Sequence, residues 1–183
     1  MSKFFGYGSL VNVATHDYRN TQTATVNGWE RHWVPSNSRP EAFLSVRPKT
    51  GSAIMGLIAD VAPIGWEGLD LREIGYTRAP LTPEELAIEN PNSVQMYRAL
   101  PDHIADSDEN VHILLSYLDV VTQGFLREFG LAGVENFYTT TANWHIPVRD
   151  DRAEPAYPRA QNLSASETAL VDENLARLGV TIF

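Results

Sequence analysis

The sequence predicts an α+β protein in which a β-barrel or strongly curved sheet comes first and helices pack around it afterwards. Three observations carry that prediction. Short aromatic and β-branched runs crowd residues 1–61, apolar residues at helical spacing are confined to the later part, and nothing repetitive or linker-like divides the two. With 183 residues and 43% hydrophobic content the chain can bury one sizeable core and hardly two, so a single domain over 1–183 is expected.

Phe4 to Tyr7, Ala24 to Gly28, Glu30 to Pro35, Phe43 to Val46 and Ile54 to Val61 read as strands, punctuated by Asn27-Gly28, Pro48 and Gly51. Strand alternation puts Trp29, Arg31 and Trp33 on one face and Glu30, His32 and Val34 on the other. The tryptophans read as core or pocket wall. After Pro63, Trp66 to Ile74 reads as a short helical or turning segment. Thr82-Pro83-Glu84-Glu85 combines an N-cap, a first-turn proline and first-turn acids, so a brief helix should follow and stop before Asn90-Pro91. Val94 to Ala99 is a further strand.

From Asp108 to Phe129 the residues Val111, Leu114, Leu115, Leu118, Val121, Phe125 and Phe129 recur at helical spacing, with Ser107 as cap and Gly130 as stop. A shorter helix should cover Gly133 to Tyr138. Ser164 and Glu167 form a capping box for a last helix reaching about Leu178, ahead of Gly179. Arg149 to Ala160 is a polar, proline-containing loop, and Asp150-Asp151-Arg152 within it reads as a solvated turn.

The formal charge of −9 and the pI near 4.9 argue against nucleic acid or an anionic membrane as partner, since both would repel the average surface. A small ligand is not excluded. The chain has no cysteine, which removes disulfides, thiolate nucleophiles and cysteine-ligated metal centres. The histidines at 16, 32, 103, 112 and 145 form no metal-type cluster. Lys3 precedes too few apolar residues for a secretory signal or a membrane span, so a cytoplasmic protein is expected.

Two segments carry chemistry. In Phe4-Phe5-Gly6-Tyr7-Gly8-Ser9-Leu10, two glycines flank an aromatic where a strand should turn. Glycine permits the close backbone approach needed to aim several N–H groups at one small anion, and Ser9 adds a hydroxyl. The same residues also describe an ordinary tight turn with Tyr7 packed as core. In Leu69-Asp70-Leu71-Arg72-Glu73-Ile74-Gly75-Tyr76, flanking apolar residues can steer one carboxylate into a pocket while Asp70 and Arg72 stay at the rim. Taken alone, that pattern fits any amphipathic turn. The glycine loop lacks the Lys-Ser/Thr of a P-loop and the spacing of a dinucleotide fingerprint.

Together the two segments resemble the γ-glutamylcyclotransferase superfamily, in which a Tyr-Gly-Ser loop follows the first strand and a glutamate lies downstream. Phe5 to Leu10 and Leu69 to Tyr76 look most like the ChaC-type branch, and the resemblance runs over residues 3–120. It departs from the branch in having one residue fewer between the glutamate and Gly75-Tyr76, in Val11-Asn12 after the loop, and in everything after Phe129. The resemblance implies a small mixed β-barrel with surrounding helices. It also implies cofactor-independent conversion of a γ-glutamyl compound (glutathione, a γ-glutamyl amino acid or a γ-glutamylamine) to 5-oxoproline and a free amine.

Glu73 then takes the catalytic position. Gly6, Tyr7, Gly8, Ser9 and Leu10 become the substrate-binding loop, standing in for an arginine clamp. Tyr117 closes the far side, although on an amphipathic helix it reads equally as a core residue with a satisfied hydroxyl. The leaving-group side falls to Arg39, Arg47 or the C-terminal third. Two other readings stay open: a binding or regulatory protein that keeps the cradle without turnover, and an amide-hydrolysing or amine-transferring reaction in the same cradle.

Overall fold

The computed structural model describes residues 2–86 and 93–183. Its centre is a six-stranded mixed sheet of β1 (Ser2–Gly6), β2 (Arg19–Val34), β3 (Phe43–Val61), β4 (Tyr76–Pro80), β5 (Val94–Ala99) and β7 (Thr141–Ala142) in the order β4-β5-β1-β3-β2-β7. β1 lies inside it, antiparallel to β3 and parallel to β5. Phe4 and Phe5 are both fully buried but point to opposite faces, as successive strand residues must. Phe5 joins the main core, and Phe4 joins a smaller cluster with Leu10, Ala59, Val61, Leu69 and Tyr97. The glycine loop therefore leaves a strand packed on both sides.

The separate early strands expected from the sequence are halves of one long hairpin. Val34 pairs with Phe43, and the ladder continues through Trp29–Pro48 and Asn27–Ala53 to Arg19–Asp60. Asn27-Gly28 and Gly51, which look like hairpin turns, mark a bulge, and Pro48, without an N–H, sits beside it. The alternation along β2 holds: Trp29, Arg31 and Trp33 are buried, while Glu30 pairs with Arg47 and Lys49 on the other face.

No closed barrel forms. Among the described residues the sheet ends at β4 and β7, which do not pair with each other. β7 is two residues long and β4 ends in Pro80, too little free backbone for a closing ladder. Helices cover the apolar faces instead: α1 (Gly65–Arg72) on the smaller cluster through Leu69, and α2 (Leu115–Thr139) with α3 (Ala165–Leu178) on the main core.

α2 begins at Leu115, not Asp108. Ile113–Leu114 is instead strand β6, parallel to β8 (Val148–Arg149), and Ser107 Oγ accepts the N–H of Glu109 in a local turn. The helix is capped from a distance by Asp151, which accepts the Ser116 N–H at 2.8 Å and hydroxyl at 2.5 Å. Gly130 interrupts the helix as expected, at φ 65°, and a second helical stretch runs on to Thr139. The capping box of α3 forms as expected, Ser164 Oγ accepting from Glu167 N–H at 3.2 Å and Glu167 from Ser164 N–H at 2.7 Å. At Thr82 to Leu86 only an opening turn is seen, and the rest of that expected helix lies outside the described residues. No helix among the described residues is long and apolar enough to cross a membrane.

Candidate active site

After β1 the loop turns through one 3-10 turn, Ser9–Val11, closed by Val11 N–H to Gly8 carbonyl at 2.9 Å. Its position is set from behind by Arg31. This fully buried guanidinium donates to the Tyr7 carbonyl at 2.8 Å, to Thr140 Oγ1 at 2.7 Å and to the Met55 carbonyl, with its face over the ring of Phe125. Burial lowers its pKa to about 9, so it remains charged at neutral pH. Tyr7 itself is core, its hydroxyl donating to the Tyr97 carbonyl at 2.8 Å, and it also lines the recess beside Glu73.

Glu73 ends α1, its N–H bonded to the Leu69 carbonyl at 2.9 Å. Its side chain lines the same recess as the loop. Arg72, expected at the rim, is only 8% exposed and holds the two segments together. Its Nε lies 3.3 Å from Glu73 Oε1, while its terminal nitrogens donate to the Thr15 carbonyl at 3.0 Å, Thr15 Oγ1 at 3.1 Å and Ser9 Oγ at 3.4 Å. Asp70 does stay near the surface, accepting from the Tyr97 hydroxyl at 2.6 Å.

Glu73, Ser9, Tyr76 and Tyr117 line both a cavity of about 380 Å³ and an inner recess of about 30 Å³. Gly6 to Leu10 wall the recess. Tyr117, on the first turn of α2, brings its hydroxyl against the loop at Gly8. A Cβ on Gly8 would come 2.6 Å from that oxygen, so only glycine leaves Tyr117 its place. Tyr76 donates to the Leu44 carbonyl at 2.7 Å.

Burial pushes the Glu73 carboxyl above its ordinary range, against the opposing pull of Arg72 and Arg159. Burial, reinforced by the Glu73 charge, also raises Tyr7, Tyr76 and Tyr117, so all three phenols keep their protons at neutral pH. The arrangement is a carboxyl with a raised pKa among phenol hydroxyls, beside a glycine-lined recess. Among the described residues no group of three metal-type side chains comes together.

Arginine is present in the cavity as well as the loop. Arg39, Arg159 and the aromatic Tyr157 line it, with Tyr157 edge-on to Tyr117 at 5.0 Å. Arg47 is elsewhere, paired with Glu30. Tyr157 and Arg159 carried no local signal, because the 149–160 loop reads as solvated polar chain. It is anchored instead: Asp151 is 4% exposed and also accepts the Ala156 N–H at 2.8 Å, and Arg152 pairs with Asp119 at 2.7 Å.

No protein-family model matches the sequence, and no curated protein matches it. Solved structures do. A gamma-glutamyl cyclotransferase is similar over 94% of this chain and 98% of its own, at 11% identity and a TM-score of 0.58. An uncharacterized protein from Homo sapiens, LOC79017, is similar over 93% of this chain and 98% of its own, at 11% identity and 0.55. YkqA from Bacillus subtilis is similar over 78% of this chain and 56% of its own, at 13% identity and 0.56. The chain thus has the mixed α+β fold of a gamma-glutamyl cyclotransferase structure, with an open sheet.

Proposed function

We propose that this chain is a γ-glutamylcyclotransferase, converting a γ-glutamyl compound to 5-oxoproline and a free amine or amino acid without a cofactor. The observation that carries the reading is a half-buried carboxylate, Glu73, with a raised pKa, tied through one arginine to a glycine loop that walls the same recess. The shared fold supports it.

The reaction needs few groups, because the nucleophile is the substrate's own α-amine. Attack on the γ-carbonyl closes a five-membered ring, and well-oriented intramolecular attack is worth effective molarities of roughly 10⁵–10⁸ M. Two proton problems remain, an α-ammonium that must lose a proton and a leaving nitrogen that must gain one. Glu73 as base takes the first proton, the new C–N bond forms, and Glu73 as acid returns that proton as the bond to the leaving nitrogen breaks; the second proton lost by the ring nitrogen goes to the released amine, which departs as an ammonium. The loop from Gly6 to Leu10 holds the glutamyl end, and the protonated Tyr117 hydroxyl faces the reacting group, while the Tyr76 hydroxyl stays bonded to the Leu44 carbonyl. A protein that only bound an anion would gain nothing from a buried carboxylate beside it, which would repel the ligand.

Replacing Glu73 by Gln keeps the shape and removes the proton shuttle. The expected outcome is a fall in kcat of roughly 100-fold or more with substrate affinity kept, measured as 5-oxoproline release. In the wild type, kcat/KM should rise with pH through an apparent pKa above the ordinary 4.5 of a glutamate, because only the ionised form is a base. Unchanged turnover in Glu73→Gln, or an acid limb at or below that value, would remove Glu73 from the mechanism.

A further inference from the structure

The reading above leaves the group on the leaving side undefined, and the cavity walls bear on it. Arg39, in the 35–42 connection between β2 and β3, and Arg159, in the anchored 149–160 loop, both line the larger cavity. Neither borders the inner recess walled by the glycine loop. Both are therefore on the side where the leaving group must emerge if the glutamyl α-carboxylate points into the recess.

Their charges are unspent. Among the described residues neither guanidinium has an ion pair or a side-chain hydrogen bond, whereas Arg47, Arg72, Arg78, Arg127, Arg152 and Arg177 all have acidic partners. Within the cavity Glu73 is paired with Arg72 and also feels the charge of Arg159, and three arginines against Glu41 and Glu73 leave the wall net positive. Arg39 also borders an adjoining cavity of about 210 Å³ with Ile74, Tyr76 and His103, so there is room for more than a single small residue.

We infer that Arg39 and Arg159 read a carboxylate on the leaving amine, making the substrates γ-glutamyl amino acids or peptides and not γ-glutamylamines lacking that group. Planar guanidinium forks suit carboxylate recognition, and a hydrogen bond to a charged group is worth more than a neutral one. This inference rests on the cyclotransferase reading, since it points the glutamyl α-carboxylate into the recess.

The test compares γ-glutamyl-alanine with γ-glutamyl-ethylamine, the same molecule without the carboxylate, by 5-oxoproline release. Wild type should favour the alanine compound by roughly tenfold or more in kcat/KM, mainly through KM. In Arg39→Gln and Arg159→Gln that ratio should fall toward one. Both substrates are read on the same protein, so any loss of folded material cancels from the ratio. A wild-type ratio near or below one, or a ratio that neither substitution changes, overturns the inference while leaving the cyclotransferase reading in place. No 5-oxoproline from either compound overturns both.

Discussion

Glu73 and Gly8 show how single residues define the site. At Glu73 burial resists the charge, Arg72 restores part of it, and the balance leaves the carboxyl with a pKa above that of a solvated glutamate, which is what the proposed base requires. Gly8 acts by absence of a side chain. A methyl group there would meet the Tyr117 hydroxyl at 2.6 Å and Leu44 Cδ2 at 3.2 Å, so Gly8→Ala should cost about 1–3 kcal/mol in stability and at least tenfold in activity. Placing Gly8→Ala in a Tyr117→Phe background removes one side of that clash. Chemical denaturation should then show a smaller stability cost than in the Tyr117 protein, and an equal cost would mean that Tyr117 is not what requires glycine. Both residues were legible in the sequence, because each sits in a compact local motif. Arg39, Tyr157 and Arg159 were not legible as pocket lining, since only the folded chain brings their loops to one cavity.

Among the elements, legibility followed whether the stabilising contact is local. The box that starts α3 is built from Ser164 and Glu167, three residues apart, and stands where expected. The start of α2 is built from Ser116 and Asp151, so helical spacing alone places it too early. Asp151 has a second consequence. The carboxylate that caps α2, and so steadies Tyr117, also ties down Ala156 beside Tyr157. Asp151→Ala removes the acceptor for two backbone N–H groups and one hydroxyl, and should cost about 3 kcal/mol, read from denaturant midpoints, with KM raised more than kcat is lowered. Burial alone would raise this carboxyl, but the hydrogen bonds from Ser116 and Ala156 win and hold it below its ordinary value of 3.8. Its stabilisation is therefore complete above that value and is lost as pH falls through the lower folded pKa.

At the scale of the molecule, the order of strands first and helices later was plain from periodicity, but closure of the sheet was not. Whether short β runs join into a barrel depends on the edges. Here one edge is a two-residue strand and the other ends in proline, leaving α2 and α3 to cover the core. The long β2–β3 hairpin was read as four pieces because a bulge and a turn use the same residues, Asn27-Gly28 and Gly51. What the whole architecture achieves is convergence. β1 delivers the glycine loop, α1 delivers Glu73, α2 delivers Tyr117, and the loops before β3 and α3 close the outer wall with Arg39 and Arg159.

The most direct test of this account is the identity of the product formed from γ-glutamyl-alanine, followed by mass spectrometry. The account predicts 5-oxoproline and alanine in equal amounts, with no glutamate and no added metal or cofactor. Glutamate and alanine would show that water is the nucleophile and that the site is a hydrolase, and an unchanged substrate would contradict cyclisation of γ-glutamyl amino acids.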